Sequence, residues 1–343
     1  MIKNIYRNIY RRCPNSVKGN LSKAAMLLPN KPSVKPCSIP RDKRFPDGHK
    51  AAFVMSADFE MAWAWRYSKG GEDAVAIGLH ERDNIPELVA LFEKFNIPIT
   101  WATVGHLFLS SCDDEHGKAH ANLTRIPYFT NRVWEYEKGD WYEDDPCSNV
   151  DSDPAWYAPD LIRQVMDSRV GHEIGCHSFS HLDCTDARCP EKVMDDEITE
   201  CVRLAREWGV DLRSMVFPGG TNGNYAVLAR HGFTNYRINS TWDLFYPEKN
   251  EFGLWNLPSS ATIENAGFGW TPEYYIKRYK QFIDKAIKTG TVCHLWFHPS
   301  IDKFCLREVF PGVLEYARKR ADEGDLWIAT MRQMTEFCEQ VHG

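Results

Sequence analysis

The chain has 343 residues, 43% of them hydrophobic, enough to bury one barrel-sized core or two ordinary ones. A formal net charge of -6 disfavours nucleic acid and anionic membrane as partners, since both need a basic stripe, and no apolar run is long enough for a transmembrane segment. The 11 cysteines are scattered without a CxxC pair, which argues against a thioredoxin-like motif or a structural zinc site.

Residues 1–48 are rich in Pro, Lys, Arg and Asn and show no sustained period. They read as a basic N-terminal arm or surface strap, with a short helix near 21–28. Charges interrupt this segment too often for a signal-peptide core, so the expected location is cytoplasmic, with most thiols reduced. The oligomeric state is left open.

From Lys50 onward, strand-like runs alternate with amphipathic stretches, the pattern of a parallel sheet closed or wound by helices. AAFVMSADFE (51–60) is the first strand, and a helix is expected from Asn84 with Pro86 in its first turn. PITWATVG is the second strand. After it comes a long aromatic insertion, 106–155, read as an ordered lid or wall rather than a disordered loop. A helix then leads into HEIGCHS, and further strands follow at SMVF, TNYRIN, LWNLPSS, TVCHLWF and LWIAT, separated by helices. Seven or eight such units in series predict an α/β fold, a (β/α) barrel occupying 49–343.

In such barrels the chemistry sits at the C-terminal strand ends. HEIGCHSFSH puts His177 and His181 four residues apart, so that a turn opening just after a strand can aim both imidazoles at one metal ion. Chance spacing, or two satisfied core histidines, is the alternative. Asp58 and Glu60 close the first strand on one face, against the default of solvated loop carboxylates. Phe217-Pro218-Gly219-Gly220 forms a turn in which a backbone N–H can approach a substrate oxygen closely. His294, Trp296 and His298 share one strand face; His298 stands where an acid–base group is wanted, while His294 reads as a core histidine. Trp63, Trp65, Trp141, Trp156 and Tyr157 are candidates for a sugar-stacking wall, with Trp65 and Trp141 preferred and core packing as the alternative.

SADFE, HSFSH, FPGGTNGN and WFHP, in that order, resemble the polysaccharide deacetylase family, also called the NodB homology domain, over about residues 50–335. The resemblance implies an irregular barrel of about seven strands and a metal-dependent hydrolase that removes an acyl group from an amino sugar. It implies that His177, His181 and Glu60 are metal ligands, most simply for zinc, and that Asp58 is the general base. Gly219 would be the oxyanion donor and His298 the acid. The family often has adjacent aspartates in its first motif. Here Phe59 separates Asp58 from Glu60, so their roles could be exchanged. No arginine lies beside Pro218; Arg237 is the candidate to orient the base, and both are counted among substrate-side residues.

The expected function is therefore removal of an N-acetyl or N-formyl group from an amino sugar or glycan during surface-glycan synthesis. An allantoinase-like cyclic amide hydrolase and a catalytically silent carbohydrate-binding protein are the alternatives.

Overall fold

The computed structural model describes residues 32–342 apart from 115, 116, 240, 241 and 268. The short helix expected near 21–28 lies outside the described residues. In chain order the strands are β1 (Ser33–Val34), β2 (Ala51–Phe59), β3 (Thr100–Thr103), β4 (Phe129–Thr130), β5 (Glu135–Tyr136), β6 (Glu173–Cys176) and β7 (Ser214–Val216). They continue as β8 (Asn235–Arg237), β9 (Asp243–Leu244), β10 (Glu248–Lys249), β11 (Trp255–Asn256), β12 (Ala261–Thr262), β13 (Val292–Phe297) and β14 (Leu326–Ala329).

β2 is the central strand, and every one of its nine residues is buried. A strand covered on both faces reads as an unbroken apolar run, which is why AAFVM lacks alternation. It pairs in parallel with β13 on one side and, on the other, with β14 at its start and β3 at its end. The sheet runs on through β6, β7 and β8. Residues 255–262 then join its two ends: Trp255 pairs beside Asn235 of β8, Ser259 bridges to Asn239, and Ala261 pairs beside Leu295 of β13. The sheet thus curls into an irregular α/β barrel whose parallel pairing passes through seven positions, as the sequence led us to expect.

The helix expected from Asn84 begins ten residues earlier, spanning Ala74–Phe95. Asp73 caps it by accepting a hydrogen bond from the Ala76 N–H, and Pro86 lies inside it rather than in its first turn. An internal proline costs about 3 kcal/mol, which the buried stripe of Ile85, Leu88, Val89 and Phe92 offsets.

Part of the expected arm is tied to the barrel. The buried Arg44 guanidinium donates to the carbonyls of Ile39, Cys37 and Gly290, the last at 2.8 Å. The insertion is ordered around the β4–β5 hairpin, with Trp134, Tyr136, Trp141 and Tyr142 all buried. Among the described residues, no helix is long and apolar enough to cross a membrane.

Candidate active site

Five strand ends meet at one place. Asp58 lies on β2 and Glu60 just beyond it, His177 follows β6, Pro218 and Gly219 follow β7, Arg237 ends β8, and His298 follows β13. The two-residue alternation of β2 sends Ser56 and Asp58 to the same face, and both contact Arg237.

Glu60 is the hub. Its Oε2 lies 3.1 Å from Nε2 of His177 and 3.0 Å from Nε2 of His181, and its Oε1 lies 3.3 Å from Nε2 of His298. Nδ1 of His177 is 2.7 Å from the Val216 carbonyl oxygen. A carbonyl only accepts, so Nδ1 carries the hydrogen and Nε2 presents a lone pair to the carboxylate. Two acceptors facing each other are repulsive unless a cation or a shared proton lies between them. The donor set of two imidazoles and one carboxylate therefore fits a divalent metal, and a backbone carbonyl orienting the second ring nitrogen is the usual support for such a ligand. Burial pushes the Glu60 carboxyl up, but His298, His181 and His177 outweigh it and hold the group well below the ordinary carboxylate range.

The segment carrying the histidines is not the regular helical turn that their spacing suggested. Ser178 and His181 have φ of 56° and 59°, in the left-handed region, so the chain bends twice between the two rings. The bend is held by Glu197, a buried residue of the helix Glu191–Glu207. Its carboxyl accepts from the backbone N–H groups of Phe179 and Ser180, both at 2.9 Å, from Ser180 Oγ at 2.6 Å and from Tyr142 Oη at 2.7 Å. Burial raises its pKa against the pull of these four donors. Arg66 adds a second brace, sandwiched between the Trp63 and Trp141 rings and donating to the carbonyls of Trp141 and Ser180.

Asp58 is gripped by Arg237, whose Nη1 and Nη2 donate to its two oxygens at 2.6 and 2.7 Å; Nη1 also donates to Ser56 Oγ at 2.8 Å. Arg237 is 1% exposed and stacks on Trp296, its guanidinium carbon 4.5 Å from the ring centre. The residue missing beside Pro218 is thus supplied from the next strand, and Arg237 reaches the carboxylate rather than solvent.

Gly219 sits in a turn with φ of 57°, and a Cβ there would come within 2.6 Å of the Trp134 ring. That ring stands edge-on to His181, 5.4 Å between centres. Alanine at 219 is expected to cost about 1–2 kcal/mol and to lower kcat/KM at least tenfold by pushing Trp134 and the turn apart. Thermal melting together with steady-state kinetics checks this; unchanged values in both would contradict it.

The aromatic candidates separate. Trp65 is partly exposed, 6.3 Å from His298 between ring centres, and stays available to a ligand. Trp141 is 2% exposed and its indole N–H donates to Ser180 Oγ at 2.8 Å, so the expected sugar platform is a packing residue beneath the histidine loop. Trp63, Trp156 and Tyr157 are buried likewise.

His294 is fully buried, with Nδ1 3.2 Å from the Leu257 carbonyl oxygen and Nε2 2.9 Å from Ser56 Oγ, a satisfied core histidine. Burial, with Arg237 nearby, pushes its pKa down from 6.5 to about 3. The unfolded chain takes up this proton first as pH falls, so the stability associated with the neutral ring is whole above about 6.5 and drains away towards 3. A His294→Gln variant is expected to show an acid loss of stability shallower by up to about 1.4 kcal/mol per pH unit. Urea unfolding between pH 7 and pH 4 measures it, and parallel curves for the two proteins would refute the assignment.

Sequence reading missed Glu197, Arg66, Trp134 and a further buried carboxyl, Glu81, which accepts from the Glu60 N–H at 3.0 Å.

Fold and site together define an α/β barrel protein with a carboxylate and two histidines converging at the C-terminal strand ends. Residues 72–236, a little under half of the chain, match the family model described as polysaccharide deacetylase. The match takes in the HSFSH and FPGG segments; Asp58, Glu60, Arg237 and His298 lie outside it. No curated protein matches the chain.

Among solved structures, one from Mycobacterium smegmatis described as a polysaccharide deacetylase is 17% identical with a TM-score of 0.60, over 92% of this chain and 95% of that one. A Pseudomonas aeruginosa PAO1 protein, also described as a polysaccharide deacetylase, is 13% identical with a TM-score of 0.59, over 89% and 96%. The Puue allantoinase is 14% identical with a TM-score of 0.55, over 89% and 95%. At these identities the likeness is one of fold.

Proposed function

We propose that this protein is a metal-dependent hydrolase that removes an N-acyl group, acetyl or formyl, from an amino sugar. The observation that carries the reading is the convergence of Glu60, His177 and His181 on one point, beside Asp58 and His298. Amide hydrolysis needs a nucleophile, a stabilised oxyanion and a proton for a poor leaving group, and each has a residue here.

Glu60, His177 and His181 would hold the ion, zinc in the simplest case, which supplies a Lewis acid and an acidified water when bound. Asp58 takes a proton from the attacking water. Its two oxygens are fixed by Arg237, and each keeps a lone pair for that task. The Gly219 N–H donates to the oxyanion, a contact whose loss in comparable sites costs about 3 kcal/mol. His298, whose side chain is 33% exposed while the rest of the centre is buried, stands at the mouth and protonates the departing amine. Geometry favours Glu60 as the ligand and Asp58 as the base, since Glu60 touches both histidines and Asp58 touches Arg237.

We place the reaction in the cytoplasm, on a sugar carried by a nucleotide, lipid or oligosaccharide before a surface glycan is exported. The ten cysteines among the described residues are all unbridged, which suits a reducing compartment.

The test is amine release from N-acetyl and N-formyl amino sugars, free, nucleotide-linked and lipid-linked, with allantoin alongside. Release from an N-acyl sugar and none from allantoin is expected. Ureide hydrolysis alone would move the assignment to cyclic amides, and sugar binding without turnover would make this a carbohydrate-binding protein.

A further inference from the structure

A second cluster of metal-ligating side chains lies behind the first, within the insertion. His106 stands in a short turn at residues Gly105–Phe108, just past the end of β3, and Cys112, His120 and Asp145 come from the insertion itself. One donor atom from each of the four lies within 4.8 Å of every other. Asp145 Oδ2 is the meeting point, 3.1 Å from His106 Nε2, 2.9 Å from His120 Nε2 and 3.6 Å from Cys112 Sγ. A tetrahedral ion with bonds of about 2.0 Å to N or O and about 2.3 Å to S separates its donors by about 3.3–3.8 Å, so small shifts close the shell.

The orientation of His106 argues for more than a hydrogen-bonded cluster. Its Nδ1 lies 3.2 Å from the Trp156 carbonyl oxygen, so that nitrogen carries the hydrogen. Nε2 then presents a lone pair to a carboxylate oxygen, and this buried atom has no hydrogen-bond partner despite the short distance. The other oxygen of Asp145 is already held, accepting from the Cys147 N–H at 3.0 Å and Tyr157 Oη at 3.3 Å. Those contacts leave Oδ2 aimed at the two rings. Outer contacts that fix ring and carboxylate in this way are the usual surroundings of a metal centre.

We propose that His106, Cys112, His120 and Asp145 bind a second transition-metal ion, zinc by preference, that has a structural role. Two imidazoles, a thiolate and a carboxylate suit zinc, cobalt or copper and not magnesium or calcium. Four protein ligands leave no open position, so this ion would hold structure rather than turn over substrate. Phe179, from the histidine loop, packs on both rings at 5.6 and 5.0 Å between centres, and its carbonyl oxygen accepts from the His106 N–H. The ion would therefore clamp the insertion, which brings Trp134 against His181, onto the back of the loop that carries His177 and His181. The absence of a CxxC pair in the sequence had argued against structural zinc; a mixed ligand set on a long insertion has no such spacing to find.

The site is separable from the centre by its sulfur. Among the proposed ligands only Cys112 supplies a thiolate, so loading the purified protein with cobalt(II) reports on it through a thiolate-to-cobalt charge-transfer band in the near ultraviolet. The wild type is expected to take two cobalt ions per chain with that band. A His177→Ala, His181→Ala variant should take one and keep the band in full. Cys112→Ser should lose the band. Absence of the band in the loaded wild type, where no variant's folding is at issue, would overturn the proposal, as would its persistence in Cys112→Ser. Failure of the catalytic reading shows separately, as missing amine release with the band intact.

Discussion

Replacing Arg237 by methionine is expected to destabilise the protein by about 3–5 kcal/mol and to reduce kcat/KM by at least 10²-fold. The guanidinium is the bidentate partner of Asp58, and both groups are buried, at 1% and 4% exposure. Removing it leaves an unpaired carboxylate in the barrel, and the site responds by protonating, turning away or admitting water. Asp58→Asn on its own should cost about 10²–10⁴ in rate, the usual contribution of a general base. The informative protein is the double variant, Asp58→Asn with Arg237→Met. Having no stranded charge, it should be more stable than Arg237→Met alone, although it lacks more of the wild-type interactions. Urea unfolding of the four proteins tests this; a double variant less stable than either single one would mean that the pair is not acting as a unit.

Glu197→Ala is expected to cost about 3–5 kcal/mol, since it strips the acceptor from two buried N–H groups and two hydroxyls at once. The damage should not stop at stability. Ser178 and His181 hold left-handed conformations that cost free energy by themselves, and without the carboxylate the bend between the two histidines keeps Arg66 as a brace but loses the bonds to Glu197 that hold Phe179 and Ser180. Metal affinity should therefore fall along with unfolding free energy, although Glu197 is not a proposed ligand. Glu197→Gln, which keeps an acceptor oxygen, should recover part of both. A Glu197→Ala protein of wild-type stability and wild-type metal content would contradict this role.

Much of the centre is legible in the sequence because strands and short spacings are local properties. SADF places its carboxylate by the two-residue period of a buried strand, and HSFSH brings its histidines together within five residues. What supports them is not local. Arg237 reaches Asp58 across 179 residues, and only the closing of the barrel makes them neighbours. Glu197 and Glu81 look like ordinary helix-surface carboxylates. Yet a signal for each exists: Glu197 lies on the stripe of Val193, Met194, Ile198 and Cys201, and Glu81 on that of Gly78, Ile85 and Leu88. A carboxylate on the apolar face of an amphipathic helix should be read as buried with partners.

The aromatic residues misled for a related reason. Trp141 sits in a polar stretch of sequence, which reads as a surface wall, but Arg66 and Ser180, far away in the chain, take up its ring face and its N–H. The helix that starts at Ala74 is hidden because its first two turns read AVAIGLH, a nearly continuous apolar run with no one-sided period, in which Val75 and Leu79 are exposed; packing of its later stripe, together with the Asp73 cap, decides where it begins.

Glu60, His177 and His181 are proposed to hold a metal that serves hydrolysis of an N-acyl amino sugar. The most direct measurement compares the metal content of the purified wild type with that of the His177→Ala, His181→Ala variant, with amine release from N-acyl amino sugars followed in both. The variant is expected to carry one ion per chain fewer and to release no amine, while the wild type releases it. Equal metal content in the two proteins after reconstitution, or amine release that survives the double substitution, would contradict it.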